Sequence, residues 1–253
     1  MRYIYGAVLT LGLCGMGAAA FAQDATSAVT FSDAQKEAIR TLVRETLVQK
    51  PELVLEAIQS LEAKQKKEAA LGDKQLIANN AKAIFDNPQD FSISPKGYDI
   101  TIVEFSDYRC GYCRKAHSAV EELLKSDSKI RFVVKELPVL GPASVYAAKV
   151  SLAALAQDRG AKYQKFASSM INFPGDLNEG TVRKLVKEAG FDWDKIDKEI
   201  KKPEIEAMIK ANYDLATVLG INGTPGFVVG DELVRGYMPV EAMQALVAQK
   251  RKK

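Results

Sequence analysis

The sequence predicts an α/β domain with a helical insertion, preceded by an N-terminal α-helical arm. Three observations carry that fold class. Residues 100–105 and 130–135 are rich in β-branched and aromatic residues and are separated by helical sequence, which makes a strand–helix–strand unit. Gly223-Thr224-Pro225-Gly226 interrupts the chain far downstream, just before two more short apolar runs at 227–229 and 233–234. Between residues 30 and 86, apolar residues recur at helical spacing with no alternating strand pattern.

The arm comes first. Ser32 and Gln35 have capping-box spacing, and Ile39, Leu42, Val43 and Leu47 fall on one helical face. Pro51 disfavours helical geometry at Lys50, so a first helix should end there. Pro51 suits the opening turn of a second helix carrying Leu53, Ala57, Ile58 and Leu61. Residues 62–70 are Glu, Lys, Gln and Ala, helical without an apolar stripe. A third amphipathic piece, with Leu76, Ile77, Ala83 and Ile84, leads to Asn87-Pro88. Two short stripes joined by a polar stretch cannot enclose a core. They either pack on the following domain or bury one another between copies, and self-association through residues 30–90 is the expectation.

The α/β domain then runs in order. After the strand at 100–105, helical residues extend from Cys110 to about Lys125, and residues 130–135 form the next strand. Pro138 and Gly141-Pro142 open a long helical stretch over about 141–219, with breaks expected at Pro174-Gly175, Gly190 and Pro203. Gly230-Asp231-Glu232 turns the strand at 227–229 into its partner, and a last helix starts near Val240. The domains expected are a leader over 1–22, the arm over 23–92 and the α/β domain over 93–253.

Composition narrows the chemistry. The chain has 253 residues, a formal net charge of +3, 47% hydrophobic and 26% charged residues, which excludes wholesale disorder and collagen-like composition. The charge is nearly balanced, so nucleic acid is not an expected partner, and the basic run 250–253 reads as a solvated last helical turn. Three cysteines and one histidine exclude a disulfide-rich scaffold and a His-rich metal centre. Residues 1–22 carry Arg2, an apolar stretch and Ala20-Phe21-Ala22, the pattern of a secretory signal peptide cut after Ala22. That cut removes Cys14 and leaves Cys110 and Cys113, in a compartment where disulfides persist.

Cys110-Gly111-Tyr112-Cys113 carries the chemistry. At a helix start, the first cysteine faces free amide donors whose partial positive charge favours thiolate over thiol. Cys110 then becomes both nucleophile and good leaving group, while Cys113, one turn in and more buried, can resolve a mixed disulfide. With no second CxxC, a closed zinc site would lack ligands. A four-residue loop constrains the unfolded chain too little for a purely structural disulfide.

The stretch Val103-Glu104-Phe105-Ser106-Asp107-Tyr108-Arg109-Cys110-Gly111-Tyr112-Cys113 resembles the strand–loop–helix active site of the thioredoxin superfamily. The version it resembles is the DsbA-type one of bacterial envelope thiol oxidoreductases. Gly223-Thr224-Pro225 fits that family's cis-proline loop. The span from Cys113 to Pro225 matches its helical insertion. Residues 30–86 look like the N-terminal segment of the ScsC-like branch, whose members self-associate.

The resemblance implies a thioredoxin fold, a periplasmic location and a set of roles. Cys110 attacks, Cys113 resolves, and together they form the redox-active disulfide. Glu104 is a buried acid that relays a proton. Thr224 and a cis Pro225 bind an extended substrate, with Tyr112 an apolar contact at the rim. His117, one turn beyond Cys113, is placed to add positive charge near the thiolate. No metal and no organic cofactor is implied. The partners implied are unfolded or misoxidised envelope proteins, a membrane redox partner and further copies of the chain.

Between the cysteines stands Gly-Tyr rather than the Pro-His of the best-known oxidases, so the direction of electron flow stays open. The expected function is an oligomeric disulfide isomerase or reductase. A DsbA-like dithiol oxidase is the alternative within the class. Outside it, the thiolate pair could hold Cu(I) in a metal-handling protein, or the arm could build an oligomeric surface protein.

Overall fold

The computed structural model describes residues 30–252, so the expected signal peptide lies outside the described residues. The chain divides into two compact units between Gln59 and Ser60.

In the first unit, α1 (Asp33–Gln49) begins as the capping box predicts. The Gln35 amide donates to Ser32 Oγ at 3.3 Å, and the Ser32 amide donates to Gln35 Oε1 at 2.9 Å. Lys50 caps its end ahead of Pro51. No residue of α1 is buried, and Leu42 and Val48 are 64% and 74% exposed. Helix α2 (Glu52–Asn79) starts directly after Pro51. It runs unbroken to Asn79, where the sequence suggested a separate third piece. The polar residues 62–70 are strong helix formers and continue the helix without help from packing. The break comes at Asn80, whose side-chain amide donates to the Leu76 carbonyl at 2.8 Å before α3 (Ala81–Phe85).

The second unit is built on a five-stranded sheet. Its strands are β1 (Phe91–Ile93), β2 (Ile100–Ser106), β3 (Ile130–Glu136), β4 (Gly226–Val229) and β5 (Glu232–Arg235), in the order β1-β3-β2-β4-β5. Strands β2 and β3 are parallel, joined by α4 (Gly111–Ser126), and the remaining pairs are antiparallel. Strand β1 escapes sequence reading because three residues are too few to show a period. The insertion supplies α5 (Pro142–Gln157), α6 (Ala161–Ile171), α7 (Glu179–Glu188), α8 (Trp193–Glu199) and α9 (Pro203–Val218). The expected breaks occur, and one more falls at Asp158-Arg159-Gly160, where Asp158 Oδ1 accepts the Gly160 amide at 2.8 Å. Helix α10 (Val240–Arg251) closes the described chain.

Strand alternation sorts the core. Val103, Phe105, Val133 and Val228 pack on one side with Ile77, Ile84, Leu215 and Leu219. The last part of α2 and α3 therefore belongs to this domain's core. Ile102, Ile130, Phe132 and Phe227 pack on the other side with Val120 and Leu123 of α4 and Met243 and Val247 of α10. The basic end of α10 is not the solvated turn expected from sequence. The Lys250 side chain is 4% exposed and donates to Asp231 at 2.5 Å and Glu232 at 2.7 Å. Arg251 pairs with Asp99 and Asp127, so these charges tie the helix to strand-connecting loops.

Candidate active site

The β2–α4 junction presents the cysteines, and Asp107 shapes it. Its buried carboxylate accepts the Arg109 amide at 2.8 Å and the Leu140 amide at 3.1 Å, linking the loop before the CxxC to the loop after β3. Arg109 adds an ion pair to Asp176 at 2.8 Å. Cys110 is the N-cap of α4, with extended backbone, and Cys113 sits in the first turn. Both are free thiols, 8% and 0% exposed.

The Thr224–Pro225 peptide is cis, and the Cys110 thiol donates to the Thr224 carbonyl at 3.2 Å. Gly226, next in the loop, leaves room for Ile221, since a Cβ there would lie 2.6 Å from Ile221 Cγ2. Three further sequence-predicted residues, Glu104, Thr224 and Pro225, thus stand by the sulfurs of Cys110 and Cys113.

Electrostatics makes the two sulfurs unlike. Hydrogen bonding from the Cys113 thiol pulls Cys110 down from about 9 to about 5, against the effect of burial. Thr224 and the amides of Cys113 and Tyr112 add to the lowering. Cys113 is pushed well above the ordinary thiol range by its bond to Cys110, by burial and by the charge of Glu104. The Thr224 hydroxyl is buried with no hydrogen-bond partner among the described residues while both sulfurs are thiols. It nonetheless lowers both sulfurs, so it is a donor that a thiolate would satisfy. Thr224→Val is expected to raise the Cys110 pKa by about one unit. Thiolate absorbance against pH reads this directly, and an unmoved titration would remove the hydroxyl from the account.

Glu104 is buried on the central strand β2, with 4% exposure. Burial raises its carboxyl to about 7, opposed by a hydrogen bond from Ser106 and assisted by Cys110. Tyr112 lies on the rim, 60% exposed, its ring 6.4 Å from that of Tyr237 and under Lys115. Sequence reading missed Tyr237, which shares that rim. His117 does not take the part suggested for it. It turns to α6, with Nε2 3.0 Å from Ser168 Oγ, and burial lowers its pKa, so it brings no positive charge to the thiolate at neutral pH.

A cavity of about 260 Å³, open to solvent at one side, lies between the sheet and helices α4 and α6. Glu104, Ser106, Tyr108, Glu136 and Tyr163 line it together with Phe91, Phe132 and Val134. Glu136 is the buried acid the sequence reading missed. Its signal was an acid closing β3 in alternation with Ile130, Phe132 and Val134, the inward-facing positions of that strand. Among the described residues no group of three or more His, Cys, Asp or Glu is placed to hold a metal ion. Among them, too, no helix is long and apolar enough to cross a membrane.

Comparison with known proteins agrees with this geometry. Residues 98–249 match the thioredoxin family model, and residues 35–68 match that of the copper resistance protein ScsC N-terminal domain. A thioredoxin-like oxidoreductase from Silicibacter pomeroyi is 37% identical, with a TM-score of 0.64 over 68% of this chain and 98% of that one. The thiol-disulfide exchange protein alpha-DsbA2 from Wolbachia pipientis is 28% identical, with a TM-score of 0.67 over 72% of this chain and 98% of that one. A linker-deletion mutant of Proteus mirabilis ScsC shares the fold across 90% of this chain and 99% of that one, at 22% identity and a TM-score of 0.64. The chain spans about a quarter of the length of the curated relatives it matches. One is the Na(+)/H(+) antiporter NhaA 1 of Salinispora arenicola, 26% identical over 162 residues, 64% of this chain and 25% of that protein. With a CxxC at the β2–α4 junction, a cis-proline loop against it and a helical insertion between them, the chain belongs to the thioredoxin family, as a thiol–disulfide oxidoreductase.

Proposed function

We propose that this protein is a periplasmic disulfide isomerase that works as a homo-oligomer joined through residues 30–90. Its clients are misoxidised envelope proteins, and a membrane redox partner keeps the cysteine pair in the state that reshuffling requires. The observation that carries the exchange chemistry is the inequality of the two sulfurs, one thiol drawn down to about 5 beside one held far above its usual range. Cys110 attacks a client disulfide as thiolate. Cys113 stays protonated until it resolves the mixed disulfide, giving its proton to Glu104. The Thr224–Pro225 loop pairs with the extended client, and Tyr112 supplies an apolar contact at the rim.

Oligomerisation is supported by the exposed stripe on α1 and the start of α2, where Leu42, Val43, Leu53 and Ile58 lie uncovered. The match of residues 35–68 to an ScsC N-terminal domain points the same way. Several CxxC sites serving one client favour repeated attack, which is isomerase behaviour. A dithiol oxidase is the second reading, favoured by the low Cys110 pKa, because a stabilised thiolate makes the disulfide a stronger oxidant.

A scrambled, disulfide-containing client separates the two. The isomerase restores client activity, and Leu42→Glu with Leu47→Glu removes most of that recovery while leaving oxidation of a dithiol peptide intact. Fast client oxidation without reshuffling, indifferent to those substitutions, would establish the oxidase instead.

A further inference from the structure

We propose that Glu136 is a positioning acid of the resolving step, sharing one cavity and one negative charge with Glu104. The inference rests on the reading of Cys113 as resolving thiol and Glu104 as its base. In that step Cys113 Sγ–H gives its proton to the Glu104 carboxylate, and Cys113 Sγ bonds to Cys110 Sγ. The bond from Cys110 to the client sulfur breaks. The client leaves as a thiolate that takes a proton from water, and the client has gained two electrons from the cysteine pair. Glu104 must then release its proton before the next turnover, so what sets its proton affinity matters to the rate.

The sheet register places Glu136 to do this. In the parallel β2–β3 ladder, Glu104 pairs with Val134 and Ser106 with Glu136. All four side chains line the same cavity, and the register makes Glu104 and Glu136 diagonal neighbours on one sheet face. Both are 4% exposed. Two buried carboxylates at diagonal positions on one sheet face do not both ionise freely, and they titrate as a pair.

Among the described residues Glu136 has no ion-pair partner. Helix α5 offers Ser151, whose hydroxyl donates to Glu136 Oε1 at 2.9 Å and is itself 2.8 Å from both Tyr108 Oη and Tyr163 Oη. Ser151 has one proton to give and two lone pairs, so it serves all three partners at once. From α9, Asn212 donates to the Glu136 backbone carbonyl at 3.0 Å. Asp107 and Glu104 face it from β2 and the loop beyond, and both oppose its ionisation. Helix α4 contributes His117, Glu121 and Lys125 to the wall of the cavity, and Lys135 is held by Asp90 at 2.5 Å. Burial comes first among the causes that raise Glu136, to about 8, next to Glu104 at about 7. A structural hydroxyl cluster would be served as well by a glutamine. An acid on the same cavity wall as the catalytic base is what makes the site sensitive to its charge.

The test follows proton occupancy rather than activity alone. In the reduced full chain carrying 13C-labelled glutamate, the Glu104 Cδ resonance should titrate in two steps, mirrored by Glu136. In Glu136→Gln, Glu104 should titrate in one step and reach full ionisation about one pH unit lower. The pH profile for thiol release from a chromogenic mixed disulfide on Cys110 should simplify in the same way. A single-step Glu104 titration in the wild type overturns the proposal, even if Glu136→Gln fails to fold. So does a two-step titration that survives Glu136→Gln. Glu104→Gln separates the underlying reading. If it leaves the release profile unchanged, Glu104 is not the base, and if it removes the acid limb while Glu136→Gln moves nothing, only the role of Glu136 fails.

Discussion

Serine at Cys110 is expected to lower disulfide exchange by at least about a thousandfold, because an alkoxide is neither formed near neutral pH nor able to make the S–S bond. Cys113→Ser should behave differently. It keeps the attacking thiolate and loses only its resolution, so the client stays attached and intact mass rises by the client's own mass. If Cys110→Ser retained exchange, the assignment of the nucleophile would be wrong. The low Cys110 pKa carries a second consequence for the same sulfur. Its folded value of about 5 lies below the ordinary thiol value near 9, so the thiolate stabilises the reduced protein. That contribution is complete above pH 9, shrinks as pH falls and is lost below about pH 5. At pH 7 it amounts to about 2 kcal/mol after solvent screening, or roughly 40 mV of added oxidising power in the disulfide. Denaturation of reduced and oxidised protein at pH 5 and pH 8 should therefore show the reduced form gaining on the oxidised one at the higher pH.

Asp90→Ala is expected to destabilise the fold by about 3–5 kcal/mol, the largest stability effect expected of a single substitution here. The Lys135 ammonium meets Asp90 Oδ2 at 2.5 Å, and the two side chains are 1% and 6% exposed. Alanine leaves that ammonium buried without its partner. It also removes Asp90 Oδ1 as acceptor of the Asn87 side-chain amide at 3.4 Å in the turn into β1, while the bonds from Arg159 to the backbone carbonyls of Pro88 and Asp90 remain. Burial outweighs Lys135 in setting the Asp90 carboxyl, which stays above its ordinary value, so the pair as a whole gains little over water. Asp90→Leu combined with Lys135→Met should accordingly cost under about 1 kcal/mol or stabilise. Urea unfolding measures both, and a loss below about 1 kcal/mol for Asp90→Ala would contradict this account of the pair.

Much of the site was legible because its residues announce themselves locally. The cysteine spacing, the acid six residues earlier and the Thr-Pro loop each lie within a few positions of a strand or helix end. The pattern also set the sheet's central strands and the final helix. What stayed hidden depends on distant segments meeting. Glu136, Ser151, Tyr108 and Tyr163 come from a strand, two insertion helices and the CxxC loop, and nothing in any one of them points to the others. Lys135 illustrates the same limit. A lysine ending an apolar run reads as the strand's exposed exit, and only the turn at Asp90 shows that it is interior. The helical character of residues 62–70 was legible from propensity, but that Leu76 and Ile77 continue the same helix was not, because a change of apolar stripe reads as a new element.

Helix α1 has 17 residues and buries none of them. Isolated helices of that length are marginal in water, so its order has to be supplied by whatever covers the stripe. If further copies cover it, the arm responds to abundance by mass action. A cell that makes little of the protein would hold separate redox domains suited to single exchanges. One that makes much of it would hold grouped sites suited to repeated correction, so expression level alone would choose between two behaviours of one polypeptide.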